Sequence, residues 1–253
     1  MVQSKKRKQP ESNESNVSII GSKLNFEGRE SYNLLRTNLM FCTKRNDRNA
    51  RVIGNTSSEH GEGKSLTIIN LAYSIAESGR KVILVECDLR LPTLRRKLGL
   101  PKTTGLSNLL AGINSEKATL HKDVLIKGFD FVQAGDIPPN PSELLGSPAF
   151  TNLIDNLSES YDVVLLDLPP VGEVSDALVA SKATDGLVII VRNDYTISSD
   201  LDYTLRQCEL VGAKVIGFVY NSAVSKFKKN KYGYGNKYKY KYNYAAVSKK
   251  YKP

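Results

Sequence analysis

Ser57-Ser58-Glu59-His60-Gly61-Glu62-Gly63-Lys64-Ser65, SSEHGEGKS, decides the reading of this chain. It follows an apolar run at 51–55 and opens a helical pattern at 64–78 that Gly79 ends. That setting suits a phosphate-binding loop. Glycines let backbone N–H groups turn towards an anion, and the helix N-terminus adds positive potential. Lys64 can then reach terminal phosphates, and Ser65 can ligate Mg²⁺. The strict pattern GxxxxGK[ST] asks for glycine at position 58, where this chain has Ser58.

Outward from the loop, strand and helix signals alternate. Continuous apolar runs at 81–87, 161–166, 187–191 and 215–219 predict buried strands, with a weaker one at 129–133. Helices are expected at 175–182 and 199–210. Another is expected at 27–45, where Leu34, Leu35, Leu39 and Phe41 recur near helical spacing. The stretch GDIPPNPSELLG, 135–146, reads as a proline-broken loop. Apolar strands separated by helices predict an α/β fold, a mostly parallel sheet with helices on both faces.

Two strand ends carry acids. Glu86-Cys87-Asp88-Leu89-Arg90 closes one run and Asp167-Leu168-Pro169 closes another. Ligands of open α/β sheets bind at such carboxyl ends. Acids there, close to a phosphate loop, suit Mg²⁺ held through oxygen and water. His60 and His121 have no ligand partners at useful spacing and read as structural or solvent-facing.

Composition sets the rest. The chain has 253 residues and a net charge of +10. Residues 226–253 hold ten lysines and no Asp, Glu or Arg, so this stretch carries the whole net charge. It also holds Tyr232, Tyr234, Tyr238, Tyr240, Tyr242, Tyr244 and Tyr251, seven of thirteen tyrosines. The expected organisation is a flexible segment at 1–26, one nucleotide-binding domain at 27–224, and a disordered Lys/Tyr-rich tail at 225–253. The first residues do not read as a secretory signal, and no apolar run reaches membrane-spanning length. Cys42, Cys87 and Cys208 are widely spaced and read as reduced thiols of a cytosolic protein.

Taken together, these segments resemble the bacterial tyrosine kinases of capsule and exopolysaccharide synthesis, specifically the separate cytoplasmic kinase subunit of Gram-positive type. The resemblance rests on a modified Walker A motif at 57–65, a Walker A′ of form DxDxR at 86–90 and a Walker B of form DxP at 167–169. The segments ESYNLLRTN, GDIPPNPSELLGSPAF and GFVYN and the tyrosine cluster add to it.

The resemblance implies a P-loop NTPase-like fold that uses ATP and Mg²⁺ to phosphorylate tyrosine, its own tail first. It implies nucleotide contacts from Ser58, Gly61, Glu62, Gly63, Lys64, Ser65, Leu66 and Asn221. Ser65, Glu86, Asp88 and Asp167 are the implied metal group, and Lys64, Asp88 and Arg90 the implied catalytic group. The seven tail tyrosines are the implied acceptors. Glu30 and Arg36 are implied in ring assembly. The implied partners are other copies of the chain, a transmembrane modulator that recruits it to the inner face of the membrane, and a phosphotyrosine phosphatase.

Three positions depart from the family pattern. Glu86 stands where Asp is usual, Asn33 replaces the middle Arg of ExxRxxR, and Glu59 occupies the signature-lysine position of partition and cell-division ATPases. A partition-type ATPase switch without kinase activity is therefore disfavoured. Two further alternatives use the tail: nucleic-acid binding, with lysines on phosphate and tyrosines on bases, and attachment to an anionic membrane.

Overall fold

The computed structural model describes residues 20–43, 49–113 and 119–222. The seven tail tyrosines, and the organisation expected for 225–253 and for most of 1–26, lie outside these residues. In chain order the elements are α1 (Phe26–Cys42), β1 (Arg51–Ser57), α2 (Lys64–Glu77), β2 (Val82–Glu86), α3 (Leu94–Lys97), α4 (Leu106–Leu110), β3 (Leu120–His121) and β4 (Phe129–Val132). Then come α5 (Pro141–Leu145), α6 (Pro148–Ser160), β5 (Val163–Asp167), α7 (Asp176–Ala180), β6 (Gly186–Arg192), α8 (Ser198–Leu210) and β7 (Val215–Asn221).

The strands form one sheet in the order β3-β4-β2-β5-β1-β6-β7. All neighbours are parallel except the two-residue β3, which runs antiparallel along β4. The apolar runs are continuous because both faces of the sheet are covered. Val52, Ile83, Val85, Val164 and Leu166 join a core with α6 and α7 on one face. Their neighbours Ile53, Val82, Leu84, Val163 and Leu165 join a core with α1 and α2 on the other. Alternate residues of each strand thus feed opposite cores, as strand geometry requires. The edge strand β7 is only partly buried.

Two readings need correction. The helical spacing in α1 selects a different stripe: Leu35 and Leu39 pack on the core with Tyr32 and Met40, while Leu34 and Phe41 are 62% and 84% exposed. The 135–146 stretch is not all loop, since α5 starts there with Pro141 in its first turn. Directly after it, α6 was readable but passed over. Ser147 caps it by accepting from Phe150 N at 3.3 Å, Pro148 opens it, and Phe150, Leu153, Ile154 and Leu157 form its buried face.

Candidate nucleotide and phosphoryl-transfer site

Sheet register assembles the site. Asp167 pairs with Asn55 on β1 and with Glu86 on β2, so three polar side chains form one row at the carboxyl ends of the strands. The loop from Ser57 to Gly63 passes beside this row into α2, where Gly63 adopts φ 95° at the N-cap. That left-handed conformation favours glycine. Space demands it too, because a Cβ at Gly63 would lie 2.0 Å from Asn221 Nδ2.

Asp167 is buried at 2% exposure, and its carboxyl is pushed up to about 7. Burial is the main cause. Lys64 opposes it, while Glu86 and Asp88 add to it, and a hydrogen bond with Ser65 lowers it slightly. Asn55 Nδ2 lies 3.5 Å from Asp167 Oδ1 and donates to Lys64 O at 3.2 Å. Lys64, 6% exposed, starts α2 within the field of that carboxylate. Ser65 Oγ accepts from Thr93 Oγ1 at 3.3 Å. Asp88 is buried, and its Oδ1 accepts Leu91 N at 3.0 Å.

Glu86 is placed differently. Its Oε1 accepts Leu94 N at 2.6 Å and its Oε2 accepts Ala134 N at 3.2 Å. Burial raises its carboxyl and these amides oppose the rise. Each oxygen thus accepts one scaffold amide and keeps a second lone pair. Arg90 is paired with a carboxylate. Nε and Nη2 hold Asp176 Oδ2 and Oδ1 at 2.8 and 2.9 Å, and Asp176 is fully buried. This fork ties the segment after β2 to α7.

Glu62 braces the loop from within. Its Oε2 accepts Ser58 N at 2.8 Å and Glu59 N at 3.1 Å, and its other oxygen meets Thr196 Oγ1. Ser58 is buried, and its Oγ has no hydrogen-bond partner among the described residues. Gly61 O accepts Arg192 Nη1 at 2.7 Å, and Asn221 Nδ2 donates to Glu62 O at 2.8 Å. Leu66 lies half-buried in the first turn of α2. Sequence reading missed Arg192, Thr196 and Tyr195, whose hydroxyl donates to His60 O at 3.0 Å, because no local motif links the end of β6 to a loop more than 130 residues earlier. Lys97 was missed as well. Burial lowers its ammonium, with Asp167 and Glu86 opposing.

Arg36 points inward: Nη1 donates to Ser74 O at 2.5 Å and Ser74 Oγ at 2.9 Å, pinning α1 to α2. Asn33 Nδ2 donates to Glu30 Oε1 at 3.0 Å.

Among the described residues no three His, Cys, Asp or Glu side chains converge as a protein-only metal cage. Mg²⁺ takes one or two carboxylates and completes its shell with water and phosphate oxygens. Ser65 and Asp167 fit this chemistry, with Asp88 nearby. A cavity of about 210 Å³ opens beside Glu86, lined by Pro92, Arg95, Lys102, Gln133 and Ile137. A larger cleft of about 1090 Å³ lies at the other ends of the strands, by Lys81, Gly128 and Tyr161, and contains none of these site residues.

The chain as a whole is similar to known proteins. The AAA domain family, AAA_31, matches residues 50–213. The tyrosine-protein kinase YwqD of Bacillus subtilis is 33% identical over 81% of this chain and 84% of its own length. The chain belongs to the bacterial tyrosine-protein kinase family. The putative tyrosine-protein kinase EpsB of Ralstonia nicotianae is 35% identical, and the match covers 81% of this chain but only 27% of EpsB. Among solved structures, the chimerical protein CapA2B2 superimposes with a TM-score of 0.75 at 33% identity, covering 82% of this chain and 90% of that one. The P-loop NTPase-like fold of these kinases is therefore this chain's fold. No helix among the described residues is long and apolar enough to cross a membrane.

Proposed function

We propose that the chain is an ATP-dependent protein tyrosine kinase whose first substrates are the tyrosines of its own tail, Tyr232 to Tyr251. The observation that supports this most is the buried Asp167 carboxylate set beside Lys64 and Ser65 at the head of α2. Phosphoryl transfer needs positioning and charge neutralisation more than covalent chemistry. Lys64 meets the terminal phosphates. Ser65 and Asp167 would hold Mg²⁺ and its water, and the ion would supply positive charge to the transferring phosphate. Asp88 orients the attacking phenol, whose reference pKa is about 10. Glu86 is assigned to holding the Leu94 and Ala134 amides, and Arg90 to holding Asp176, rather than to the metal or the reacting phosphate.

A tail that starts just beyond β7 serves as substrate for a neighbouring copy, which supports a ring-like homo-oligomer, with exposed Glu30 at its contacts and Arg36 holding α1 in place behind it. A phosphotyrosine ester persists in water, so reversal calls for a partner phosphatase. The partner that brings the kinase to the membrane is a transmembrane modulator. Control of capsular or exopolysaccharide synthesis is the output. About five or six phosphates, each adding −1.5 to −2 charges, would cancel the tail's positive charge and alter assembly.

The test is incubation of purified chain with ATP and Mg²⁺, with and without the cytoplasmic segment of a modulator, followed by mass spectrometry. Phosphate on Tyr232–Tyr251, reduced about a hundredfold or more in Lys64→Met, is the expected result. Nucleotide binding with no phosphotyrosine under either condition would reject the kinase reading.

A further inference from the structure

The outer half of the phosphate loop is held by a contact that lies outside every sequence motif. After Asp167-Leu168-Pro169-Pro170, the chain runs back along the loop. Val171 N donates to Ser57 O at 2.9 Å and Gly172 N donates to Ser58 O at 3.1 Å. The approach is so close that a Cβ on Gly172 would lie 2.3 Å from Ser58 O. Glu173 then holds His60 at two points. Oε1 accepts the His60 amide at 2.7 Å, and Oε2 pairs with His60 Nδ1. Two contacts fix both the backbone and the ring plane.

The opposite side of the loop is held by Arg192 and Asn221. His60 therefore faces the segment that follows Pro170, which returns from the strand ending at Asp167. With Glu62 and Glu173 filling the amides of Ser58, Glu59 and His60, the amides nearer Lys64 are those left for phosphate. One polar atom has no assignment. His60 Nε2 is shielded from solvent, although 42% of the side chain is exposed, and has no hydrogen-bond partner among the described residues. A buried polar atom without a partner is costly, and such atoms call for an explanation.

We infer that Glu173 is a positioning residue and His60 a nucleotide-binding residue: Glu173 fixes the ring so that Nε2 meets the terminal phosphate of a bound nucleoside triphosphate. As an N–H, Nε2 donates to a phosphate oxygen; as a lone pair, it accepts from a water on that phosphate. Either contact requires the third phosphate. The inference rests on the nucleotide-binding reading of the loop.

The experiment measures ATP and ADP affinity of the full chain with Mg²⁺ by fluorescence competition, alongside melting without nucleotide. His60→Ala and Glu173→Ala should each weaken ATP about tenfold, the loss of one charge-assisted contact. ADP affinity should stay within about twofold, and melting should not change beyond a minor surface effect. Glu173→Gln, which keeps an acceptor for the His60 amide, should recover part of the ATP affinity. The double variant should bind ATP no more weakly than Glu173→Ala, because the two side chains act as one unit. Equal losses for ATP and ADP, additive losses in the double variant, or unchanged ATP affinity would each overturn the inference. A wild-type chain that binds neither nucleotide overturns the nucleotide-site reading itself, a failure visible before any variant is made.

Discussion

Asp167 and Glu86 sit side by side on adjacent parallel strands, both buried and both raised by burial, yet their hydrogen-bond partners differ. Glu86 gives each oxygen to a backbone amide. Asp167 has Asn55, Ser65 and Lys64 near it, and burial still lifts it to about 7. One carboxylate is satisfied as scaffold. The other is poorly compensated without a cation, which is the condition a metal-binding group should meet. Equal residue charge and equal depth in the sheet therefore do not predict equal roles. The available hydrogen-bond donors separate them.

The sharpest way to break this contrast is to titrate it. A carboxyl raised by burial binds its proton more tightly in the folded state than in the unfolded one. Its contribution to stability is present at low pH and is lost as pH rises from 3.8, its ordinary value, through about 7. A shift of that size corresponds to about 4 kcal/mol at most. Asp167→Asn should remove this pH slope from denaturant unfolding of the nucleotide-free protein, and Mg²⁺ should flatten it in the wild type. An unchanged slope in the variant would show that Asp167 is not the strained member of the pair.

Arg90→Ala tests the neighbouring scaffold contact. Removing the guanidinium leaves buried Asp176 with Ser142 as its remaining side-chain partner. Arg90 is itself exposed, but leaving the buried Asp176 carboxylate short of donors should cost about 3 kcal/mol in denaturant unfolding. Full stability with lost phosphotyrosine would return Arg90 to the reacting phosphate.

The smallest effect is expected for Glu86→Gln. A glutamine offers one acceptor where two amides need one each, so stability should fall by about 1–3 kcal/mol. Phosphotyrosine formation should persist at temperatures where the variant is folded. A stable Glu86→Gln protein without activity would place Glu86 in the metal shell after all, and would erase the contrast with Asp167.

Much of the architecture was legible because it depends on local chemistry. The strands at 81–87, 161–166, 187–191 and 215–219 are near-continuous apolar runs, and buried parallel strands have that composition. Gly63 and Lys64 announced the loop because a turn into a helix N-terminus needs them in that order. The α1 stripe was misread because Leu34 and Leu35 are adjacent, and only packing on α2 decides which of them faces inward. The helix α6 carried its own signals in Ser147, Pro148 and the spacing of Phe150, Leu153, Ile154 and Leu157.

The sequence by itself determined that acids end two buried strands, that a phosphate loop precedes a helix, and that a basic tyrosine-rich stretch follows the last strand. Each of these is a pattern of neighbours along the chain. Only the tertiary structure decided that Arg90 holds Asp176, that Glu86 faces two amides while Asp167 does not, and that Glu173 reaches His60 across 113 positions. Such contacts are set by sheet register and loop return. Hydrogen bonding acts over about 3 Å in space, and sequence distance carries no information about it.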